Sequence, residues 1–256
     1  MWKIGRKVDG KEYQSKLFAA ERLEKRRWLF KNITFPSLLN SIKNAPGVET
    51  EVHILTSSLL PPSEMDLLAD IVRPYRMFKV ISYEPQHANL KSNVADYANS
   101  LINGSMLASL RLDDDDALSG DFLSKLSDYM APEFGGFVVS LCKGYAALLD
   151  ASGKIVSMKE YTWRLGSAGL ALINQKTEDA PEYSIYSMGD HTKIDGRCPV
   201  ILDGRSPSLI RCFHDFNDSS PDFPAIKGRV LTETESHAAL SAFSIDPRVW
   251  PQTRVL

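Results

Sequence analysis

Over its first 130 residues this chain alternates short apolar runs with amphipathic stretches, and that alternation restricts it to an α/β architecture. Extended runs cover residues 51–56, 77–82 and 106–112. Helical patterns lie before and between them. Pro36 suits the first turn of a helix that runs through Leu38, Leu39 and Ile42 to a turn at residues 44–47. Ser63 is placed to cap a second helix carrying Leu67, Leu68, Ile71 and Val72, which Arg73-Pro74 ends. A third spans residues 94–102 and stops at Asn103-Gly104. Units of this kind predict a Rossmann-like, mainly parallel central sheet flanked by helices.

Beyond Pro132 the pattern predicts a hairpin, with strands at 145–149 and 154–158 about a turn at 150–153, so the sheet becomes mixed. A short helical patch at 168–173 and strands at 183–188 and 209–213 follow. From Asn217 onward the chain is rich in Ser, Pro and charge and reads as a loosely packed tail. The resulting division is a basic helical segment over 1–31, a domain over 32–216 and a tail over 217–256.

Composition narrows the function classes. A net charge of −2 and a pI near 6.2 lack the basic footprint of a nucleic-acid binder, so no nucleic-acid partner is expected. Cys142, Cys198 and Cys212 are odd in number and lack CxxC spacing, which points to reduced thiols and a cytoplasmic protein. The N-terminus has no apolar core of a signal peptide, and no long uncharged apolar run suggests a membrane span. Charge is nonetheless uneven: residues 1–31 hold ten Lys or Arg against four Asp or Glu. Tyr13, Leu17, Ala20 and Leu23 share a helical stripe there, with Arg22, Lys25, Arg26 and Arg27 nearby. A solvated helix packed by one face is the simpler reading; a peripheral contact with the inner face of a membrane is the other.

The most informative residues are Asp113, Asp114, Asp115 and Asp116, which follow the extended run at 106–112 and precede a helix with Ser119 at its cap and Phe122, Leu123, Leu126 and Met130 facing inward. Ligands of open α/β sheets bind outside the carboxyl ends of strands, where this cluster falls. Four adjacent carboxylates repel one another unless a cation neutralises them. Oxygen ligands select Mg²⁺ or Mn²⁺, which characteristically bridge carboxylates to substrate phosphates. The plainer alternative is an acidic turn favoured by the dipole of the following helix.

The stretch Leu112-Asp-Asp-Asp-Asp-Ala-Leu-Ser-Gly-Asp-Phe-Leu123 resembles the DxD region of GT-A glycosyltransferases. Together with Arg27-Trp-Leu-Phe, Thr34-Phe-Pro-Ser-Leu-Leu and Leu209-Ile-Arg-Cys-Phe-His-Asp-Phe-Asn217, it resembles the rhamnosyltransferase family of that fold over residues 26–220. The resemblance implies a GT-A-like domain and a metal-dependent transfer of a sugar, such as rhamnose, from a nucleotide-diphosphate donor to a glycan or lipid-linked acceptor. It implies that Asp113 faces the nucleotide ribose, that Asp114 points away, that Asp115 binds the cation, and that Asp116 holds the metal or positions the donor sugar or the backbone. Arg111 would contribute to the nucleotide-sugar site. His214 is the matching later metal ligand, with His191 as runner-up and His53 assigned to packing.

Thr56 and Ser57, ending the first strand, are the hydroxyls placed nearest the nucleotide, or else a simple polar turn. An inverting reaction needs a carboxylate base for the acceptor hydroxyl. Asp190 is preferred for it over Asp179 and Glu178. Residues 1–31 read as a helix where such domains open with a strand, so part of the base pocket is expected to be missing. Two other readings stay open: a metal-dependent phosphohydrolase or nucleotidyltransferase, although no P-loop is present, and a non-catalytic transferase-fold module.

Overall fold

The computed structural model describes residues 15–84, 95–178, 184–215, 217 and 223–246. It opens with an unbroken helical rod: α1 (Ala20–Leu29), a π-helical turn (Phe30–Thr34) and α2 (Phe35–Lys43), with Pro36 in the first turn of α2 as expected. Then come β1 (Val52–Ser57), α3 (Pro62–Val72), β2 (Phe78–Tyr83), α4 (Ala95–Ser100) and β3 (Met106–Arg111). All three predicted strands of this half form within a residue or so of their expected bounds. The aspartates lead into β4 (Ala117–Leu118) and α5 (Phe122–Ser127). The second half carries β5 (Val138–Ser140), β6 (Lys143–Leu149), β7 (Ile155–Thr162), β8 (Leu170–Gln175), β9 (Val200–Leu202), β10 (Leu209–Phe213) and α6 (Glu233–Ala242).

The mainly parallel central sheet is not what forms. Among the described residues the strands make three sheets: β1 with β2 in parallel; β3, β8, β5 and β9; and β4, β10, β6 and β7. Antiparallel pairing joins β3 to β8, β8 to β5, β4 to β10 and β6 to β7, and parallel pairing joins β5 to β9 and β10 to β6. The expected hairpin is β6–β7. The segment at 168–173, predicted helical, is instead the start of β8. Its residues Leu170, Ala171, Leu172 and Ile173 are all buried, and a continuous apolar run has no period to distinguish a covered strand from a covered helix.

Local capping departs from expectation for a tertiary reason. The hydroxyls of Ser37 and Ser41 on α2 accept the N–H groups of Leu118 and Leu123, so the rod satisfies the start of α5. Ser119, the predicted cap, donates to Asp121 instead. Ser63 lies within the first turn of α3 and makes no cap bond. The strand predicted at 183–188 is a 3-10 turn (Ile185–Met188) over its described part, and Tyr183 lies outside the described residues. The N–H of Ile185 donates to Ser109 Oγ at 2.8 Å, fastening this turn to β3.

The predicted loose tail contributes to the core through several of its described residues. Thr232 and Glu235 form a capping box at the start of α6, and Leu240, Phe243 and Ile245 pack with Leu29 and Ile33 of the rod and Ile210 of β10. The helical rod and the α6 region, distant in sequence, therefore close on one hydrophobic cluster. That cluster sets α1 against β10, the strand that His214 directly follows.

Candidate active site

Asp113, Asp114, Asp115 and Asp116 occupy the loop between β3 and β4, and each carboxylate has its own set of partners, with Arg26 shared by Asp114 and Asp115. Asp113 accepts from Ser167 Oγ at 2.8 Å and, at 3.4 Å, from Arg111 Nη2. Asp114 is held by Arg26, whose Nε lies 3.1 Å from Oδ2 and whose Nη2 pairs with Oδ1. Asp115 Oδ2 accepts three bonds: from Arg26 Nη1 at 2.9 Å, His214 Nε2 at 2.9 Å and Asn217 Nδ2 at 3.2 Å. Asp116 Oδ1 accepts the backbone N–H of Cys212 at 2.9 Å.

Burial and charge divide the four. Asp115 and Asp116 are buried, while the Asp114 side chain is 42% exposed. Burial pushes the Asp115 carboxyl up, but the Arg26 charge and the His214 bond outweigh it and hold the group well below the usual carboxylate range. Asp116 goes the other way: burial, then the charges of Asp115 and Asp113, raise it well above that range, against the opposing Cys212 N–H. Burial raises the Cys212 thiol as well. Tyr186, whose ring lies 5.8 Å from the Arg111 guanidinium, is pushed up to about 12 by burial.

A cavity of about 810 Å³ adjoins this turn, within the size range of small-molecule sites. Asp113, Asp114, Arg26, Thr56, Ser57 and Tyr186 contribute to its wall. Its lining also includes residues of β1 and β3, strands at the ends of separate sheets that do not pair with one another. Leu17 and Leu23 line it too, so the apolar stripe of the basic segment faces the cavity. Tyr13 of that stripe lies outside the described residues. No described helix is long and apolar enough to cross a membrane.

The structure brings together most of the predicted residues, with corrections. Asp113, Thr56 and Ser57 meet at the cavity, and Asp115 and His214 are hydrogen-bonded to one another. Ser57 Oγ also accepts the N–H of Leu59 at 3.1 Å, the polar turn foreseen as its alternative. Asp114 does not point away; it lines the cavity and binds Arg26. Asp116 does not reach the cavity wall; of the three roles foreseen for it, the contact it makes is to the backbone, at Cys212 of β10. Arg111 is likewise absent from the wall and supports Asp113 from its side.

Asp190, expected as the base, is neither in the wall nor free. It caps the 3-10 turn His191–Gly196, accepting Thr192 N–H at 3.0 Å and Thr192 Oγ1 at 2.7 Å, and these bonds lower its pKa and hence its basicity. His191 Nδ1 bonds the carbonyl of Leu165, far in role from a metal ligand. His53 pairs with Glu51 on β1 and lines the cavity, so it is more than packing. Glu178 is exposed beside Asn103, and Asp179 lies outside the described residues.

Arg26, Ser167 and Asn217 are the functional neighbours that sequence reading passed over. Arg26 carried a signal: four carboxylates demand a cation, and the most basic stretch of the chain could supply one. Ser167 and Asn217 carried none, since an isolated polar residue in a loop has no pattern.

Among the described residues, no three His, Cys, Asp or Glu side chains gather as a metal cage. A Mg²⁺ or Mn²⁺ ion that bridges to a diphosphate needs only one or two protein carboxylates, the rest of its shell being phosphate oxygens and water. Asp115 and His214, one carboxylate and one imidazole 2.9 Å apart, fit that demand in chemistry, while Arg26 competes for the same oxygen.

A cavity of this size, largely apolar with a few carboxylates and hydroxyls in its wall, has the character of a small-molecule site. The chain matches the family described as "Putative rhamnosyl transferase" over residues 6–226, and it belongs to that family. Its class is accordingly that of the glycosyltransferases. No curated protein matches the chain.

Proposed function

We propose that the chain is a GT-A-type glycosyltransferase that takes a sugar, rhamnose by its family, from a nucleotide-diphosphate donor to a glycan or lipid-linked acceptor with the help of Mn²⁺ or Mg²⁺. The observation that carries this reading is the joining of Asp113 and Asp114, in the cavity wall, to the buried Asp115–His214 pair directly behind them.

In this reading the cavity takes the nucleoside, with the hydroxyls of Thr56 and Ser57 in its wall. Asp113, steadied by Ser167 and Arg111, accepts hydrogen bonds from ribose hydroxyls. Asp115 and His214 would hold the cation, with Asn217 positioning both: its Nδ2 donates to Asp115 Oδ2 and its Oδ1 accepts the backbone N–H of His214. The bound cation supplies positive charge to the departing diphosphate. Tyr186 stays a neutral donor at physiological pH, since its pKa near 12 keeps the hydroxyl protonated.

Calorimetric titration with nucleoside diphosphates and nucleotide sugars, with and without Mn²⁺, tests this on the wild type, Asp113→Ala and Asp115→Ala. Binding that depends on Mn²⁺ and Asp115 supports the transferase reading and ranks the donor bases. Absence of binding by every nucleotide overturns it. A second reading, a transferase fold kept for binding alone, is favoured by Arg26, which already neutralises Asp115. It requires that a donor bind without any transfer or hydrolysis.

A further inference from the structure

Arg26 sits between the cavity and the buried carboxylate. Arg26 lines the cavity, its side chain is 9% exposed, and its guanidinium bonds Asp114 through Nε and Nη2 and Asp115 through Nη1. Asp115 is only 5% exposed and does not line the cavity itself. The oxygen that Arg26 takes is the one His214 bonds, so any cation that engages Asp115 Oδ2 beside His214 meets the guanidinium in its place. Two positive groups a few ångströms apart in a buried site repel strongly, and the same lone pairs cannot serve both.

We propose that Arg26 is an exchangeable counter-ion: it and a divalent cation occupy Asp115 in alternation, and the site opens to metal when Arg26 turns toward the cavity. The inference rests on the metal-dependent reading above and adds a chain-borne competitor to it. Geometry favours such an exchange in three ways. Asp114, exposed and paired with two nitrogens of Arg26, can keep one end of the guanidinium while Asp115 is released. Arg27 lines the same cavity and is paired there with Glu64, so its wall already holds a guanidinium beside a carboxylate; a diphosphate placed there would meet Arg22, Arg26 and Arg27 together. The rod also changes to a π-helical turn at Phe30, just beyond Arg26, and such turns are frequent where helices carry function.

The full chain is titrated with MnCl₂ alone, without nucleotide, and free Mn²⁺ is followed by electron paramagnetic resonance. Arg26→Gln is expected to bind Mn²⁺ about tenfold or more tightly than wild type, because the charged competitor is gone. The second readout is the thermal midpoint. Without metal Arg26→Gln melts below wild type, since two carboxylates lose their ion pair with Arg26, and MnCl₂ raises its midpoint by more than it raises that of wild type. Adding Asp115→Asn to Arg26→Gln should remove both effects. Should Arg26→Gln fail to fold, Arg26→Lys carries the test: it keeps the charge but loses the fork that grips two carboxylates, and it should bind Mn²⁺ several-fold more tightly.

Equal or weaker Mn²⁺ binding by the Arg26 variants, no metal-dependent recovery of the midpoint, or binding that ignores Asp115 each overturns the proposal. A purely structural Arg26 would lower the midpoint and leave it unrestored by metal. Failure of the donor reading shows separately, as variants that bind Mn²⁺ yet take up no nucleotide sugar.

Discussion

The backbone N–H of Cys212 donates to Asp116 Oδ1 at 2.9 Å, and this buried bond fastens the aspartate turn to β10, two residues before His214. The bond sets the distance between Asp115 and His214 by holding both of their backbones. Asp116→Ala leaves the Cys212 N–H unsatisfied and should destabilise the fold by about 1–3 kcal/mol in urea denaturation. Asp116→Asn keeps an acceptor and removes a carboxyl whose ionisation burial opposes, so its midpoint should stay near that of wild type at pH 7. A loss in Asp116→Asn as large as in Asp116→Ala would count against this role.

Asp203 gives a pH dependence with a definite sign. The bond from Arg205 lowers its pKa to about 2, with the Arg205 backbone N–H and the Tyr129 hydroxyl adding to it. A folded pKa below the unfolded one contributes stability that is present above about pH 4 and lost as pH falls toward 2. Asp203→Asn should therefore melt below wild type at pH 7, by roughly 1–2 kcal/mol, and the gap should narrow steadily between pH 4 and pH 2. A gap that is constant across this range contradicts the assignment.

Asp190→Asn is expected to leave sugar transfer within about twofold of wild type. Its carboxylate caps a 3-10 turn through Thr192 and is fully exposed, so the variant loses part of a cap. Steady-state kinetics with a donor found by titration checks this. A fall of about 100-fold in kcat, the scale of a lost general base, would return Asp190 to catalysis.

Leu240→Ala tests the claim that the C-terminal region is core. The side chain is 0% exposed and packs among Leu29, Ile33, Ile210 and Phe243. Truncation should cost about 2–5 kcal/mol by chemical denaturation, whereas a loosely packed tail would tolerate it within about 0.5 kcal/mol. Because the same cluster seats α1, loss of Leu240 should also weaken the hold of Arg26 on Asp115.

Much of this chain was legible from local pattern. β1, β2 and β3 follow from apolar runs between turn residues, α2 from Pro36 and the Leu38, Leu39, Ile42 stripe, and the β6–β7 hairpin from its Asp150 to Gly153 turn. The aspartate run at the end of β3 was legible too, since it depends on neighbours within a few residues, whereas His214 was singled out by the family resemblance alone. β8 was not, because a strand covered on both faces shows no alternation. Nor was the packing of α6: Leu240 and, just past the helix, Phe243 find their partners in strands and helices far away in the chain.

The pairing of charges is the clearest case. That four adjacent carboxylates require a positive partner follows from Coulomb repulsion and needs only residues 113–116 to be read. Which partner they receive does not. Arg26 lies 88 and 89 positions from Asp114 and Asp115, on a helix indistinguishable by composition from a solvated one. It reaches them because α1 and α6 close on one hydrophobic cluster beside β10. The choice among ten Lys and Arg of the first 31 residues was made by where that apolar burial docks the helix, a long-range energy with no local trace.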